Sequence, residues 1–333
     1  MRAYEGPPSP TVDPEVPAIS TPAAIAVLVT YTLIYVLPFY ISPTTRPSAT
    51  LSRDAPSVIR GRIRSVTVSC IICSIISFVV LLDVGDSDNA LTNSLEALHR
   101  LGYIPVGLVE AVRCLVLTAT LFLGPLFEAG IVEGRWRGWI RLRGLDTVTT
   151  GWIGWRNIVA GPITEEILFR SASVPLLLLS QTSNTTIIFL TPVIFGLAHV
   201  HHFYEFRIAY PHTPIIGAIL RSLLQFAYTT LFGGYVTFLF LRTGSLLSVV
   251  LVHAFCNWMG FPRFWGRVSA GETVPTSDLG DTKRIENHDP PRPNEQLSTI
   301  WTVLYYVLLI VGAASWWNSL WTLTESDSAL TIF

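Results

Sequence analysis

Eight long apolar segments dominate this sequence and restrict the folds that it can adopt. A helix of about 20 apolar residues spans a lipid bilayer, and each segment has that length or nearly so. Only 14% of the 333 residues are charged, against about 25% in a soluble domain. The sequence therefore predicts an all-α polytopic membrane protein with about eight transmembrane helices. The predicted segments are 21–41, 65–83, 106–128, 157–180, 185–200, 215–241, 244–260 and 298–317.

The domain organisation follows from these segments. Residues 1–20 are Pro-rich and lack the basic start of a signal peptide. Residues 21–317 form the predicted transmembrane helical domain, and residues 318–333 form a C-terminal tail. Within the domain, residues 261–297 are rich in Pro and Gly and mixed in charge, which favours a flexible cytosolic loop. The polar motifs concentrate between residues 155 and 260.

Loop charge predicts the orientation in the membrane. The connections 42–64 and 129–156 each carry five arginines, and the connection 84–105 between them is acidic. Cytosolic loops carry the excess of Lys and Arg, so both basic loops are expected in the cytosol. The net charge of −1 gives no global field that would attract nucleic acid.

The four cysteines predict neither a redox nor a metal site. All lie in apolar segments, and the C-x-x-C motif of Cys70 and Cys73 has no second pair. They are expected to be small buried hydrophobic residues. No disulfide, cofactor or metal is predicted.

Three ionisable residues interrupt the fourth apolar segment: Glu165, Glu166 and Arg170. A charge at the centre of a membrane helix costs about 2.5–3.5 kcal/mol on the insertion scale. This helix should therefore face other helices or a wet cavity. Glu166 and Arg170 are four residues apart and can pair on one helix face. Glu165 points about 100° away, which leaves its carboxylate available as a general base.

Two further polar clusters lie in later segments. His199 and His202, near the end of the fifth segment, can share a face, whereas His201 is expected to be solvated. His253 and Asn257 are four residues apart in the seventh segment. Together they could form an oxyanion hole or an interhelical hydrogen bond that serves packing. All three clusters are expected in the cytosolic half of the bundle, which favours a shared cavity open to the cytosol.

The order of these motifs resembles that of the CAAX protease and bacteriocin-processing superfamily. The motifs are E-E-x-x-x-R at 165–170, F-x-x-x-H at 195–199 and H-x-x-x-N at 253–257. The longer strings RNIVAGPITEEILFR and FGLAHVHHFYE are similar to those of the eukaryotic type II CAAX prenyl endopeptidases. The motif-level resemblance covers about 155–260, and the helix layout extends it over most of the chain.

The resemblance implies an intramembrane endopeptidase of the endoplasmic reticulum. Its expected substrates are prenylated CaaX proteins such as Ras-type small GTPases, from which it removes the last three residues. By this resemblance Glu165, aided by His199, activates water, and His253 with Asn257 holds the oxyanion. Supporting roles in ordering the site fall to Glu166, Arg170 and His202.

Alternative functions remain open from the sequence. Glu165, His199 and His253 could instead supply a zinc site with an open position, although no H-E-x-x-H motif is present. Intramembrane Glu, His and Arg also occur in ion-coupled transporters, but the predicted clusters lie in one leaflet and no inverted repeat is evident. A non-catalytic member of the superfamily would be expected to lack some of the polar residues.

Overall fold

The chain is described by a computed structural model over residues 17–142, 148, 151–269 and 297–333. Within these ranges the regular elements are all helices and there are no strands, which confirms the predicted all-α class. Five helices are long and apolar enough to cross a membrane, or up to six if a bent pair counts as one span. The chain is thus a polytopic membrane protein, and the number eight stays a prediction.

The N-terminal part consists of four helices. Ser20 caps the first, because its hydroxyl accepts a hydrogen bond from the Ala23 amide. The third helix begins with a proline, before the predicted start at 65, so part of the basic connection 42–64 is helical rather than loop. The helices are α1 (Thr21–Val36), α2 (Pro38–Ile41), α3 (Pro56–Asp83) and α4 (Ala90–Arg100).

The third predicted segment, 106–128, is not one straight helix. Helix α5 (Leu108–Leu121) is followed by α6 (Leu123–Phe127) and a π-helical turn (Glu128–Val132), and the two halves are bent by 82°. Pro125 lies just after the bend, where its missing N–H costs no helical hydrogen bond. The short helix α7 (Trp136–Ile140) follows.

The fourth segment forms one interrupted helix over residues 152–179. Three α-helical pieces alternate with π-helical turns at Arg156–Ala160 and Ile167–Ala172. The side chains of Glu166 and Arg170 are buried, so the prediction that this segment faces protein rather than lipid is confirmed. The pieces are α8 (Trp152–Trp155), α9 (Gly161–Glu166) and α10 (Val174–Leu179).

The remaining helices complete the bundle. The last of them continues past the predicted end at 317. Residues 261–269 contain no helix, and most of the predicted flexible loop 261–297, like most of residues 1–20, lies outside the described residues. The helices are α11 (Asn184–Ala198), α12 (His201–Ala209), α13 (Ile215–Thr243), α14 (Leu246–Met259) and α15 (Thr299–Leu323).

Packing of α11 and α14 on the interrupted helix positions the polar clusters. Helix α11 lies along α13 in the most extensive helix pair of the described residues, and Thr191 bonds Thr237 across it at 3.0 Å. Helix α14 packs on both α5 and the interrupted helix. His199 at the end of α11 and His253 within α14 therefore approach the interrupted helix from two sides.

Candidate active site

Glu165 lies between two imidazole rings. Its Oε2 is 4.0 Å from His199 Nε2 and 3.9 Å from His253 Nε2. The Glu165 side chain is 23% exposed, so protein atoms cover it only in part. These separations exceed a direct hydrogen bond and are in the range where a water molecule can bridge two polar groups.

A local hydrogen bond orients His199. Its Nδ1 lies 2.8 Å from the Phe195 carbonyl oxygen, one helical turn earlier. A carbonyl oxygen only accepts, so Nδ1 carries the proton, and Nε2 of the neutral ring presents its lone pair toward Glu165. The F-x-x-x-H spacing therefore fixes both the direction and the tautomer of this histidine.

Glu166 is fully buried and has two partners. Its carboxylate is 3.1 Å from Arg170 NH1 and 2.6 Å from His253 Nδ1, and its side chain is 0% exposed. The i, i+4 pair predicted from the sequence is therefore present. The contact with His253 is an additional one, and it turns Nε2 of that ring toward Glu165.

Arg170 is held on three sides. Besides Glu166, its NH2 donates to the Gly233 carbonyl oxygen at 3.3 Å, and its guanidinium lies 4.7 Å above the Phe195 ring. A buried charge needs a partner and further hydrogen bonds to offset its desolvation. This arrangement neutralises Glu166 and leaves Glu165 as the carboxylate that faces both imidazoles.

Asn257 is anchored to the interrupted helix at an exposed position. Its amide donates to the Asn157 carbonyl oxygen at 2.8 Å, and no hydrogen bond to Glu165, His199 or His253 is present in the described structure. The carbonyl belongs to the π-helical turn Arg156–Ala160. The second N–H of the Asn257 amide is not used in this bond.

Comparisons with known proteins match the part of the chain that contains these site residues. The family model "Type II CAAX prenyl endopeptidase Rce1-like" matches residues 147–259, a range that includes all of the predicted site residues. A probable CAAX prenyl protease 2 of Schizosaccharomyces pombe is 40% identical over 239 residues, covering 72% of this chain and 81% of the relative. The chain belongs to the type II CAAX prenyl endopeptidase family. It is thus a membrane-embedded protease.

Other relatives extend the similarity over nearly the whole chain. The CAAX prenyl protease 2 of Saccharomyces cerevisiae is 30% identical over 330 residues, covering 89% of this chain and 94% of the relative. The human CAAX prenyl protease 2 is 34% identical over 226 residues, or 64% of each chain. No solved structure gives a significant match.

A second polar cluster lies beside the site of this CAAX protease. His202 Nδ1 is 2.9 Å from Glu205 Oε2, and Arg62 NH2 is 2.5 Å from Glu205 Oε1. The rings of His199 and His202 are 5.8 Å apart. The His202 ring therefore lies next to His199 and directs its Nδ1 toward Glu205.

The prediction that His201 is simply solvated is wrong. Its Nδ1 lies 2.6 Å from the Ala198 carbonyl oxygen, and its ring centroid is 4.0 Å from that of His202. Its Nε2 is buried. The reason is the break between α11 and α12, which folds this histidine back against the bundle instead of leaving it on the helix surface.

Three side-chain contacts near the site were not predicted from the sequence. Arg156 donates to the Asn157 side chain at 2.8 Å and pairs with Asp54 at 2.5 Å. Because Asn257 bonds the Asn157 carbonyl oxygen, this contact connects the position of Asn257 to the loop before α3. The Tyr35 hydroxyl lies 3.0 Å from that of Thr164, the neighbour of Glu165. The contacts of Arg156 with Asp54 and of Tyr35 with Thr164 join segments more than 100 residues apart, and no local pattern indicates them.

The metal alternative can be tested against the positions of the ligand atoms. Among the described residues, a set of three ligand atoms within 4.8 Å of one another is formed by His201, His202 and Glu205. Arg62 already pairs with that carboxylate, and the Arg53 guanidinium lies further away at 3.7 Å. The same criterion is not met by the ligand atoms of Glu165, His199 and His253. Zinc bonds of about 2.0–2.2 Å would require these side chains to move together.

Proposed function

We propose that the chain removes the three C-terminal residues of prenylated CaaX proteins, Ras-type small GTPases among them, with a water molecule activated by Glu165. The observation that carries this proposal is the position of the Glu165 carboxylate between two imidazole Nε2 atoms. The names of the relatives support the reaction.

The proposed chemistry begins with a water molecule bound between Glu165 and His199. Glu165 accepts a proton while the water oxygen attacks the carbonyl carbon of the prenylated cysteine, aided by the lone pair of His199 Nε2. A tetrahedral oxyanion forms. Transfer of the proton to the leaving amine then breaks the C–N bond, so the products are a prenyl-cysteine carboxylate and a tripeptide.

His253 and Asn257 are the proposed donors to the oxyanion. His253 Nδ1 lies 2.6 Å from Glu166 Oε1, which turns Nε2 toward the site, where an N–H at that atom would donate to the oxyanion. Asn257 contributes the N–H that is not bonded to Asn157. Donors of this kind stabilise charge that develops only in the transition state.

The proposed setting is the endoplasmic reticulum membrane, with the site open to the cytosol. Arg62 and Arg156, from the two basic connections, lie against Glu205 and Asp54 at the end of the bundle that holds the histidines. The positive-inside rule therefore supports a cytosolic opening. A prenyl chain partitions into lipid at about 0.8 kcal/mol per buried CH₂ and would bring the scissile bond to this depth.

A cleavage assay with a farnesylated CaaX peptide tests the proposal. We expect release of the tripeptide, detected by mass spectrometry, and near-complete loss with Glu165→Ala, His199→Ala or His253→Ala in protein that still folds. Glu96→Ala, which removes an exposed carboxylate paired with Arg100, is the matched control and should keep full turnover. Unchanged turnover in Glu165→Ala would refute the mechanism.

A chelator arm of the same assay separates this mechanism from the zinc alternative. We expect full activity after metal removal that has been verified by elemental analysis. Loss of activity that Zn²⁺ restores would instead assign Glu165, His199 and His253 to a metal site, in the open His₂Glu arrangement of zinc peptidases.

A further inference from the structure

One guanidinium beside the active site has no hydrogen-bonding partner within the described residues. Arg53 NH1 lies 3.7 Å from Glu205 Oε2, too far for a hydrogen bond. Both oxygens of that carboxylate have closer partners, Arg62 at 2.5 Å and His202 at 2.9 Å. Two guanidiniums thus face one carboxylate, and the cluster carries an excess positive charge.

Arg53 is also the more accessible of the two arginines. Its side chain is 42% exposed, compared with 12% for Arg62. Arg62 is fixed further by donating from Nε and NH2 to the Thr45 carbonyl oxygen, at 3.0 and 2.8 Å. Arg62 is therefore the structural partner of Glu205, whereas the guanidinium of Arg53 remains open to another anion.

A series of short contacts connects Arg53 to the proposed catalytic carboxylate. Glu165 lies 4.0 Å from His199, the rings of His199 and His202 are 5.8 Å apart, and His202 contacts Glu205. Arg53 lies beyond Glu205 in this series. An extended tripeptide spans about 10–11 Å, so a substrate cleaved at Glu165 would carry its terminal carboxylate about that far from the cleaved bond.

We propose that Arg53 binds the terminal carboxylate of the substrate and so sets the length of the peptide that is removed. The inference rests on the proposed function, because it places the scissile carbonyl at Glu165 and the free carboxylate three residues away. A guanidinium presents a planar fork that matches a carboxylate with two parallel hydrogen bonds. A substrate that ends three residues beyond the cleaved bond would satisfy both groups at once.

The test compares two farnesylated CaaX peptides that differ only at the C-terminus, one a free carboxylate and the other a carboxamide. With the full-length wild-type protein in lipid nanodiscs, we expect kcat/KM for the carboxylate to exceed that for the carboxamide by about 10-fold to 100-fold, mostly through KM. Arg53→Gln should abolish this preference by lowering kcat/KM for the carboxylate peptide to about that for the carboxamide peptide. Arg53→Lys should restore part of it.

Arg46→Gln is the matched control, because Arg46 is exposed in the same connection and has no ion pair in the described part of the chain. It should retain the wild-type preference. If Arg53→Gln lowers kcat/KM equally for both peptides, Arg53 only supports Glu205 and the inference is wrong. Absence of any preference in the wild-type protein overturns it as well.

A binding measurement separates this inference from the proposed function. Fluorescence anisotropy of the same two labelled peptides on Glu165→Gln protein reports recognition without turnover. If the wild-type protein cleaves neither peptide while the Glu165→Gln protein binds the carboxylate peptide preferentially, the proposed function is refuted and the role of Arg53 is supported. Equal binding of both peptides would refute the role of Arg53 whether or not cleavage occurs.

Discussion

At the scale of single residues, Glu166 is a fully buried carboxylate with two charged or polar partners. It is enclosed by Arg170 and His253. Removing one member of a buried ion pair costs about 3–5 kcal/mol, because the other charge remains buried without a partner. We expect Glu166→Ala to lower the free energy of unfolding by about 3–5 kcal/mol, as measured by thermal unfolding at fixed lipid composition.

Glu96→Ala is the control for that measurement. Glu96 and Arg100 have the same i, i+4 spacing at 2.8 Å, but both side chains are exposed. An exposed helix pair of this kind contributes only about 0.3–0.5 kcal/mol. Similar losses in the two variants would show that the Glu166 pair is not energetically distinct.

Asn257 should act mainly on the rate of the chemical step. If its free N–H donates to the oxyanion, Asn257→Ala should lower kcat by about 10²–10³ with little change in KM. Asn257→Asp, which has the same size but no N–H, should lose as much. A change in thermal stability with kcat preserved would instead support the packing role, since the amide also holds the Asn157 carbonyl.

The sequence could predict those site contacts that depend on helical spacing. The Glu166–Arg170 pair and the shared face of Phe195 and His199 follow from i, i+4 periodicity, and both are present. The bond between His253 and Glu166 could not be predicted, because it joins residues 87 positions apart and depends on how α14 packs. The same holds for Arg53 beside Glu205.

At the scale of elements, the close approach of α11 and α13 supports Arg170. A Cβ on Gly233 would lie 3.0 Å from Pro192 Cβ and 3.2 Å from Arg170 NH2. Small residues allow membrane helices to pack this closely, and overpacking typically costs about 1–3 kcal/mol. We expect Gly233→Ala to lower both thermal stability and peptide cleavage.

The adjacent glycine provides a matched control. A Cβ on Gly234 would meet the Ile188 carbonyl oxygen at 3.5 Å and Pro192 Cγ at 3.9 Å, which are ordinary contacts. Gly234→Ala should therefore leave both properties close to those of the wild type. Equal effects at the two positions would indicate a general loss of helix flexibility rather than a displaced Arg170.

The π-helical turns mark the limit of sequence-based reasoning about elements. Hydropathy predicts that residues 157–180 form one helix, and it does not distinguish α from π hydrogen bonding. The π turns are accommodated by distant side chains: Ser77 donates to the Ala172 carbonyl oxygen at 2.7 Å, and Asn257 to that of Asn157. Such partners are known only once the bundle is assembled.

At the scale of the whole molecule, the orientation can be tested by thiol labelling. Cys70, Cys73 and Cys114 are buried and Cys256 is partly buried, so the native background should be low. In sealed microsomes, we expect a membrane-impermeant maleimide to modify Arg46→Cys directly, but Asp88→Cys only after permeabilisation. Both positions are exposed, and the reverse pattern would place the site on the luminal side.

The outward face of α13 has a consequence for how this protease should be assayed. Ile216, Leu220 and Leu231 are exposed there, so lipid or detergent must cover them. On the proposed function, the substrate is held in that same apolar layer by its prenyl chain. Enzyme and substrate then meet by two-dimensional diffusion, and the effective concentration is the mole fraction of substrate in the bilayer. Adding more lipid at constant bulk substrate should slow the reaction by surface dilution.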